Sequence, residues 1–577
     1  MRDWWLRKSG WAPLLVVMLL AGSTGAMAQA VPNRLPGTVE PGRKEEPPPP
    51  LERPAIDIER MLRLPPGAEP PPGAAEQTLT VKDIRLEGVT AYRSADLRPL
   101  FEPLLNKEIT VADFYGVAQA IQARYQKDGY ILSFAVVPPQ TVEGGIFTIA
   151  VVEGYVDQVV VEGLEGRLAE TVQRAVEPIT RSRPLHSDDL ERYLLLANDL
   201  AGITATGILR PSKVVSGAAE LVVKPAHDPV DGSVLLDNRG TEFTGPQQGS
   251  AGITLNSLLG LGESFAVRVA TTKPTTELRS LAVSYSQPFG SEGLRLGLGV
   301  NYAMTEPGFT LDPFDVETES LRVELSASYP LIRTRAESLY LDAGIGVVEA
   351  DVDVLGQDFS KDRLREVLGG LTYLRNDVLG GRSGARLRVV QGVPIFGASD
   401  SDGDDTSRAD TEPDFTKVTL DAMHLQPMFT RFGLTVAARG QVALQPLPAA
   451  EEFALGGTRF GRAYDSGEIT GEHGVALSLE LGYDAPLDDY DLLNGGLGGL
   501  IEEVRPYVYY DVGKAWDDDT STSQGLAQSL SSLGGGLRLQ LAYGVNFSVE
   551  YARPLTLTPS TQGDKDGRVF VFLGESF

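Results

Sequence analysis

The stretch FALGGTRFGRAYDSGEITGEHG, residues 453–474, carries six glycines and two arginines, Arg459 and Arg462, in a chain whose formal net charge is −27. A guanidinium in a loop this rich in glycine can fold inward, and once partly desolvated it needs a planar, bidentate carboxylate. Asp511 is the candidate partner. It lies in VRPYVYYDVGKAW (504–516), where Val504, Pro506, Val508, Tyr510 and Val512 face one way and Arg505, Tyr507, Tyr509, Asp511 and Gly513 the other. The main use of an enclosed Arg462–Asp511 pair would be to fix the loop's position, because desolvation offsets part of its Coulomb energy. The alternative is a flexible surface loop with a solvated arginine.

Other chemistries have less support. SDSDGDD (399–405) has Asp400, Asp402 and Asp404 at calcium-loop spacing, but Asp405 stands at the glycine position and Thr411 at that of the bidentate glutamate. It reads as a solvated acidic loop. His473 has no nucleophile motif near it and reads as structural. With no cysteine and four histidines, thiolate and His-rich metal sites are not expected, and neither a cofactor nor a catalytic residue is assigned. The strongly negative charge would not neutralise phosphates, which argues against nucleic acid as a partner.

Several kinds of element must position these residues. Arg2, Arg7 and Lys8, an apolar run from Trp11 to Ala26, and the small-x-small site Ala26-Met27-Ala28 predict a secretory signal peptide over 1–28. Residues 29–76 are crowded with proline and form a tether. Within them Ile56, Ile58, Met61, Leu62 and Leu64 make an apolar island, a brief helix or a sticky piece of linker. From Val81 the pattern is strand, helix, helix, strand: Thr110 is an N-cap with Asp113 at the capping-box position, Val111, Phe114, Val117, Ile121 and Tyr125 recur at helical spacing, and YILSFAVV and IFTIAVVEG follow as two strands. The order repeats from VVVEGL, Gly163 matching Gly88, with Ser187 as a helix cap. Two small α+β modules are expected, over 77–153 and 154–226.

Beyond Asp228 the period becomes two. Leu294, Leu296, Leu298, Val300 and Tyr302 alternate with Arg295, Gly297, Gly299 and Asn301; Val475, Leu477, Leu479 and Leu481 alternate with Ala476, Ser478 and Glu480. Segments of about ten residues suit tilted transmembrane strands better than soluble ones. Sixteen candidates start near residues 230, 250, 263, 278, 293, 320, 337, 363, 384, 415, 431, 473, 503, 533, 546 and 567. Long acidic connections, among them 349–362 and 446–472, alternate mostly with short turns, the pattern of a barrel whose long loops lie outside. The 485–502 connection is too long for that scheme.

FGRAY (460–464) and YYDVGKAW (509–516) resemble the VRG-aromatic loop motif and the F-x-D-x-G strand motif of two-partner secretion transporters, the haemolysin activation/secretion proteins. LLDNRGTEFTG (235–245) resembles that family's first barrel hairpin, and the modules resemble its paired POTRA domains. Phe460 stands for the motif's valine, Ala463 for its glycine and Tyr509 for its phenylalanine, whereas Gly461, Arg462, Tyr464, Asp511 and Gly513 are retained. The resemblance implies a mainly β fold: a C-terminal 16-stranded antiparallel transmembrane β-barrel over 227–577, preceded by two periplasmic POTRA domains. It also implies an Arg462–Asp511 salt bridge inside the lumen and a plug helix near 56–64. The expected partners are a secreted exoprotein with an N-terminal secretion domain, bound by the POTRA domains, and outer-membrane lipid. The alternative is a factor that inserts other barrels into the outer membrane.

Overall fold

The computed structural model describes residues 35–43, 47–51, 57–60 (backbone only), 69–142, 144–215, 217–399, 406–408, 411–485, 500–518 and 527–577. The expected signal peptide and the residues 400–405 of the acidic loop lie outside them.

In the first module the helix Val111–Lys127 starts where its capping residues direct. Thr110 Oγ1 accepts from the Asp113 N–H at 3.0 Å, and the Asp113 carboxylate accepts from the Thr110 N–H at 3.0 Å. Phe114, Val117, Ala118, Ile121 and Tyr125 are buried on one helix face. They share a core with a three-stranded sheet in the order Asp83–Glu87, Ile146–Val152, Phe134–Val136. In the second module, helices Gly166–Val176 and Ser187–Asn198 pack on a sheet ordered Asp57–Arg60, Ile203–Pro211, Ala219–His227, Val156–Val161. Its second helix is capped by His186 rather than by the expected Ser187, with Nδ1 accepting from the Asp188 N–H at 3.2 Å. The junction between modules explains the shift. His186 Nε2 donates to the Asp128 carbonyl, and the Ser187 N–H to that of Gly129, both at 2.9 Å.

The expected helix near 56–64 is corrected for the residues described there. Asp57–Arg60 is a strand paired in parallel with Thr206–Leu209, while Ile56 and 61–64 lie outside the described residues. A sheet edge offers unpaired backbone groups to which four residues can add, whereas a helix that short has a costly nucleus.

Sixteen strands from Val230 onward close a barrel, each antiparallel to its neighbours, with Val230–Asp237 paired to Arg568–Ser576. Phe577 completes the seam. Its N–H donates to the Gly232 carbonyl at 3.0 Å and its carbonyl accepts from the Gly232 N–H at 2.7 Å. Its ring fills the space above that glycine, where a Cβ would lie 2.3 Å away. Leu296, Leu298, Val475, Leu477 and Val508 are exposed on the outer face, as period-two alternation requires, whereas Asp511 and Ser478 are buried inside. The long connection expected at 349–362 is not a loop. Strands Glu337–Val354 and Gln357–Asn376 run on into it, turning at Leu355 and Gly356, both with positive φ, because the alternation of Val348, Ala350, Val352 and Val354 continues to the tip. Of the long 485–502 connection, Ala485 bridges to Val504 and 486–499 lie outside the described residues; His473–Tyr483 and Ile501–Trp516 are adjacent in the barrel.

The second module is fastened to the barrel's short turns. Arg333, at the end of Val316–Arg333, holds the Asp199 carboxylate with Nε at 2.8 Å and Nη2 at 2.5 Å. Thr171 Oγ1 donates to the Gly260 carbonyl at 2.7 Å, and Ser257 Oγ to that of Ala201 at 2.6 Å.

Candidate functional site

Loop 446–472 folds into the lumen. Its stem is a small ladder, Phe453–Leu455 against Ile469–Gly471. Beyond it the chain reverses at Gly456 (φ +108°), where a Cβ would lie 1.8 Å from the Asp465 carbonyl oxygen, so no other residue fits. The tip is closed by its own backbone: Gly456 N–H to Phe460 O at 3.1 Å, Gly457 N–H to Tyr464 O at 3.0 Å, and Tyr464 N–H to Gly461 O at 2.8 Å. Gly461 (φ +77°) turns the chain so that Arg462 faces the wall.

Arg462 is engaged on several sides. Its Nε and Nη2 donate to the two oxygens of Asp511, each at 3.1 Å, and its backbone N–H donates to the same carboxylate at 2.9 Å. Nη1 reaches Glu480 Oε2 at 2.6 Å, and Nη2 also reaches Ser478 Oγ at 3.1 Å. The guanidinium carbon lies 3.3 Å from the centroid of the Tyr509 ring, which stacks beneath it. Asp511 in turn accepts from Ser478 Oγ at 2.7 Å and Ser532 Oγ at 3.2 Å. Arg462's side chain is 6% exposed and that of Asp511 0%, so the pair sits in the low-dielectric regime where bidentate geometry is decisive.

The other motif residues gather around this pair. The Phe460 ring lies beside the guanidinium groups of Arg439 and Arg459, 5.7 and 5.2 Å from its centroid. Buried Tyr464 donates to the Ser531 and Leu557 carbonyls, each 3.1 Å from its hydroxyl. Gly513 leaves room for Leu455, whose Cδ1 would lie 2.6 Å from a Cβ there. Ala463, at the motif's glycine position, is fully buried. His473 accepts from the Ala443 N–H at 3.3 Å and stacks on Trp516, a packing role.

Sequence reasoning missed several participants. Ser478 and Glu480 could have been found, since the alternation already set them on the polar face of their strand. Ser532 and the Tyr507–Glu550 bond of 2.6 Å depend on which strands adjoin. A second anchor had no sequence signal. Glu451, at the loop's base, binds Arg322 at 2.5 Å and Lys417 at 2.6 Å, and Arg322 also binds Glu366 at 3.0 Å. Residues 37–43 lie beside this anchor, with Arg43 donating to the Gly37 carbonyl at 2.6 Å and the Ala449 carbonyl at 3.0 Å. A cavity of about 480 Å³ remains between this segment, the loop and the wall.

A closed sixteen-stranded barrel with an arginine loop folded inside it, mounted on two small α+β modules, defines an outer-membrane transporter of the POTRA-bearing class. The family model for haemolysin secretion/activation proteins of the ShlB/FhaC/HecB type matches residues 218–539, and that for the ShlB-type POTRA domain matches 79–154. The chain belongs to this haemolysin secretion/activation family. It is 23% identical over 475 residues to the heme/hemopexin transporter protein HuxB of Haemophilus influenzae (strain 86-028NP), covering 80% of each chain. It is 25% identical over 446 residues to the outer membrane transporter CdiB of Escherichia coli O6:K15:H31, covering 75% of this chain and 74% of that one. The solved structure of CdiB from Escherichia coli superposes with a TM-score of 0.72 at 22% identity, covering 89% of this chain and 94% of that one. The protein is thus an outer-membrane pore that exports a partner exoprotein in two-partner secretion, with its POTRA region in the periplasm.

Proposed function

We propose that the periplasmic modules capture the exoprotein by strand addition, and that the Arg462–Asp511 latch keeps the lumen closed until the exoprotein arrives. On this reading 1–28 is a removed leader, 29–76 a tether with a lumen segment, 77–153 and 154–226 the POTRA domains, and 227–577 the barrel. The outward apolar residues face outer-membrane lipid. The observation that carries the latch is the burial of Arg462 against two carboxylates and an aromatic face, which holds the loop across the pore.

Strand addition needs free edges. Phe134–Val136 and Val156–Val161 are each hydrogen-bonded to one neighbouring strand among the described residues. Asp57–Arg60 covers the Ile203–Pro211 edge, so a client adding there would first displace it. The chain has no cysteine, so single cysteines report cleanly. Val160→Cys on the edge strand is expected to form disulfides with cysteines of a client in transit, and Arg174→Cys on the helix face is not. Equal yields at both positions would refute edge capture.

A further inference from the structure

One strip of the barrel wall has a use that the loop latch does not require. In strand Arg382–Gly392, Leu387 and Val389 are exposed on the outer face, and Arg382, Gly384, Arg386 and Arg388 point inward. Against this inner face lie residues 47–51, a run of four prolines and a leucine. Arg382 Nη1 donates to the Leu51 carbonyl at 2.9 Å, and Arg386 Nη1 to the Pro47 carbonyl at 3.3 Å. Between them Gly384 leaves a trough. A Cβ at that position would lie 2.7 Å from Pro49 Cβ and 3.2 Å from the Pro50 carbonyl oxygen.

The spacing is general rather than specific to this segment. Arg382 and Arg386 are four residues apart on a strand, roughly 13 Å. Pro47 and Leu51 are four residues apart in an extended proline run, about 12 Å at the polyproline rise. Both contacts end on main-chain carbonyls, which every polypeptide carries at nearly the same spacing when extended. Prolines suit the site because they hold the extended form and have no N–H to satisfy. Nothing in the two hydrogen bonds selects a side chain.

We propose that Arg382, Gly384 and Arg386 form a track that takes the extended backbone of the exported chain through its carbonyl oxygens, and that residues 47–51 are a resident stand-in that leaves when export begins. The ligand class is an unfolded polypeptide of any sequence. The proposal rests on the export function stated above. Main-chain recognition suits it, because a long exoprotein offers the same wall a different sequence at each step.

The test uses full-length protein in its membrane and a chain lacking residues 36–51. Removing 36–51 is expected to raise resting conductance in planar bilayers and to leave export intact. Adding Arg382→Ala and Arg386→Ala in that background should then lower the rate at which client reaches the medium, on the order of tenfold for the loss of two charge-assisted bonds. The level of folded barrel should not change. If export from the shortened chain is the same with and without the arginines, the strip serves only the linker and the proposal fails. A second measurement does not depend on those variants' folding. Gly384→Cys should form a disulfide with cysteines along a client halted mid-passage, and an outward-facing Leu387→Cys should not. No disulfide at 384 in a loaded pore would also overturn the track. Absence of client from the medium with the unaltered chain would instead count against the export function, whatever the arginines do.

Discussion

Replacing Asp511 by asparagine should unlatch the loop without dismantling the barrel. The carboxylate accepts five hydrogen bonds, three from Arg462 and one each from Ser478 and Ser532, and is 0% exposed. Asparagine keeps its shape, offers one acceptor oxygen and turns an NH₂ group toward donors. Breaking a buried pair by removing one partner costs about 3–5 kcal/mol, because the remaining charge is left uncompensated. Glu480 still neutralises Arg462 from 2.6 Å, which favours the lower end. About 3 kcal/mol shifts the ratio of docked to undocked loop by roughly 150-fold. The assay is single-channel recording of purified protein in planar bilayers, with export of the exoprotein measured in parallel. Open events should become frequent and export should fall, while heat-modifiable migration of the barrel stays as before. A double-mutant cycle with Arg462→Ala completes the argument, since two residues that act on each other give a coupling of about 0.5–3 kcal/mol. Wild-type closure in Asp511→Asn, or strictly additive effects in the cycle, would refute the latch.

Two further outcomes are expected. Arg333→Ala removes a bidentate contact to Asp199, about 1.5–3 kcal/mol for hydrogen bonds to a charged group. Distances between spin labels on the second module and on the barrel should therefore broaden, and an unchanged distribution would show that other contacts suffice. In the first module, burial alone would raise the Glu153 carboxyl. The backbone N–H of Ala91, the Thr90 hydroxyl and backbone, and the Tyr125 hydroxyl outweigh burial and hold it below its ordinary value. A depressed folded value contributes stability that is present above the unfolded value and lost as pH falls through the folded one. Hydrogen exchange of Val111–Lys127 should therefore accelerate as pH drops below about 4, once corrected for the intrinsic rate. Glu153→Gln should flatten that dependence, and an equally steep acid loss in the variant would assign it to other groups.

Local rules are legible where the physics is local. The capping box at Thr110 and Asp113 and the period-two alternation from Leu294 to Tyr302 depend on neighbours a few residues apart, so composition and spacing determine them. The same alternation set Tyr509 and Asp511 on one face and turned Leu477 and Leu479 to the other. Arg462 and Asp511 were readable because an enclosed guanidinium needs a planar carboxylate, whereas Phe460, Gly461, Tyr464, Tyr509 and Gly513 were named through the resemblance to the family's motifs. Tertiary structure decided what depends on register and on partners distant in sequence. Ser532 and Glu550 reach the site only because Gln528–Leu541 adjoins Ile501–Trp516 in the barrel wall and Val545–Pro554 follows as the next strand. The island near Ile56 left a brief helix and a piece of linker both open, and Asp57–Arg60 became a strand because a sheet edge with unpaired backbone groups stood within reach. No spacing rule places the carbonyls of Pro47 and Leu51 opposite Arg386 and Arg382, more than 300 residues away. That contact exists because the closed barrel brings its inner wall within reach of the extended residues 47–51.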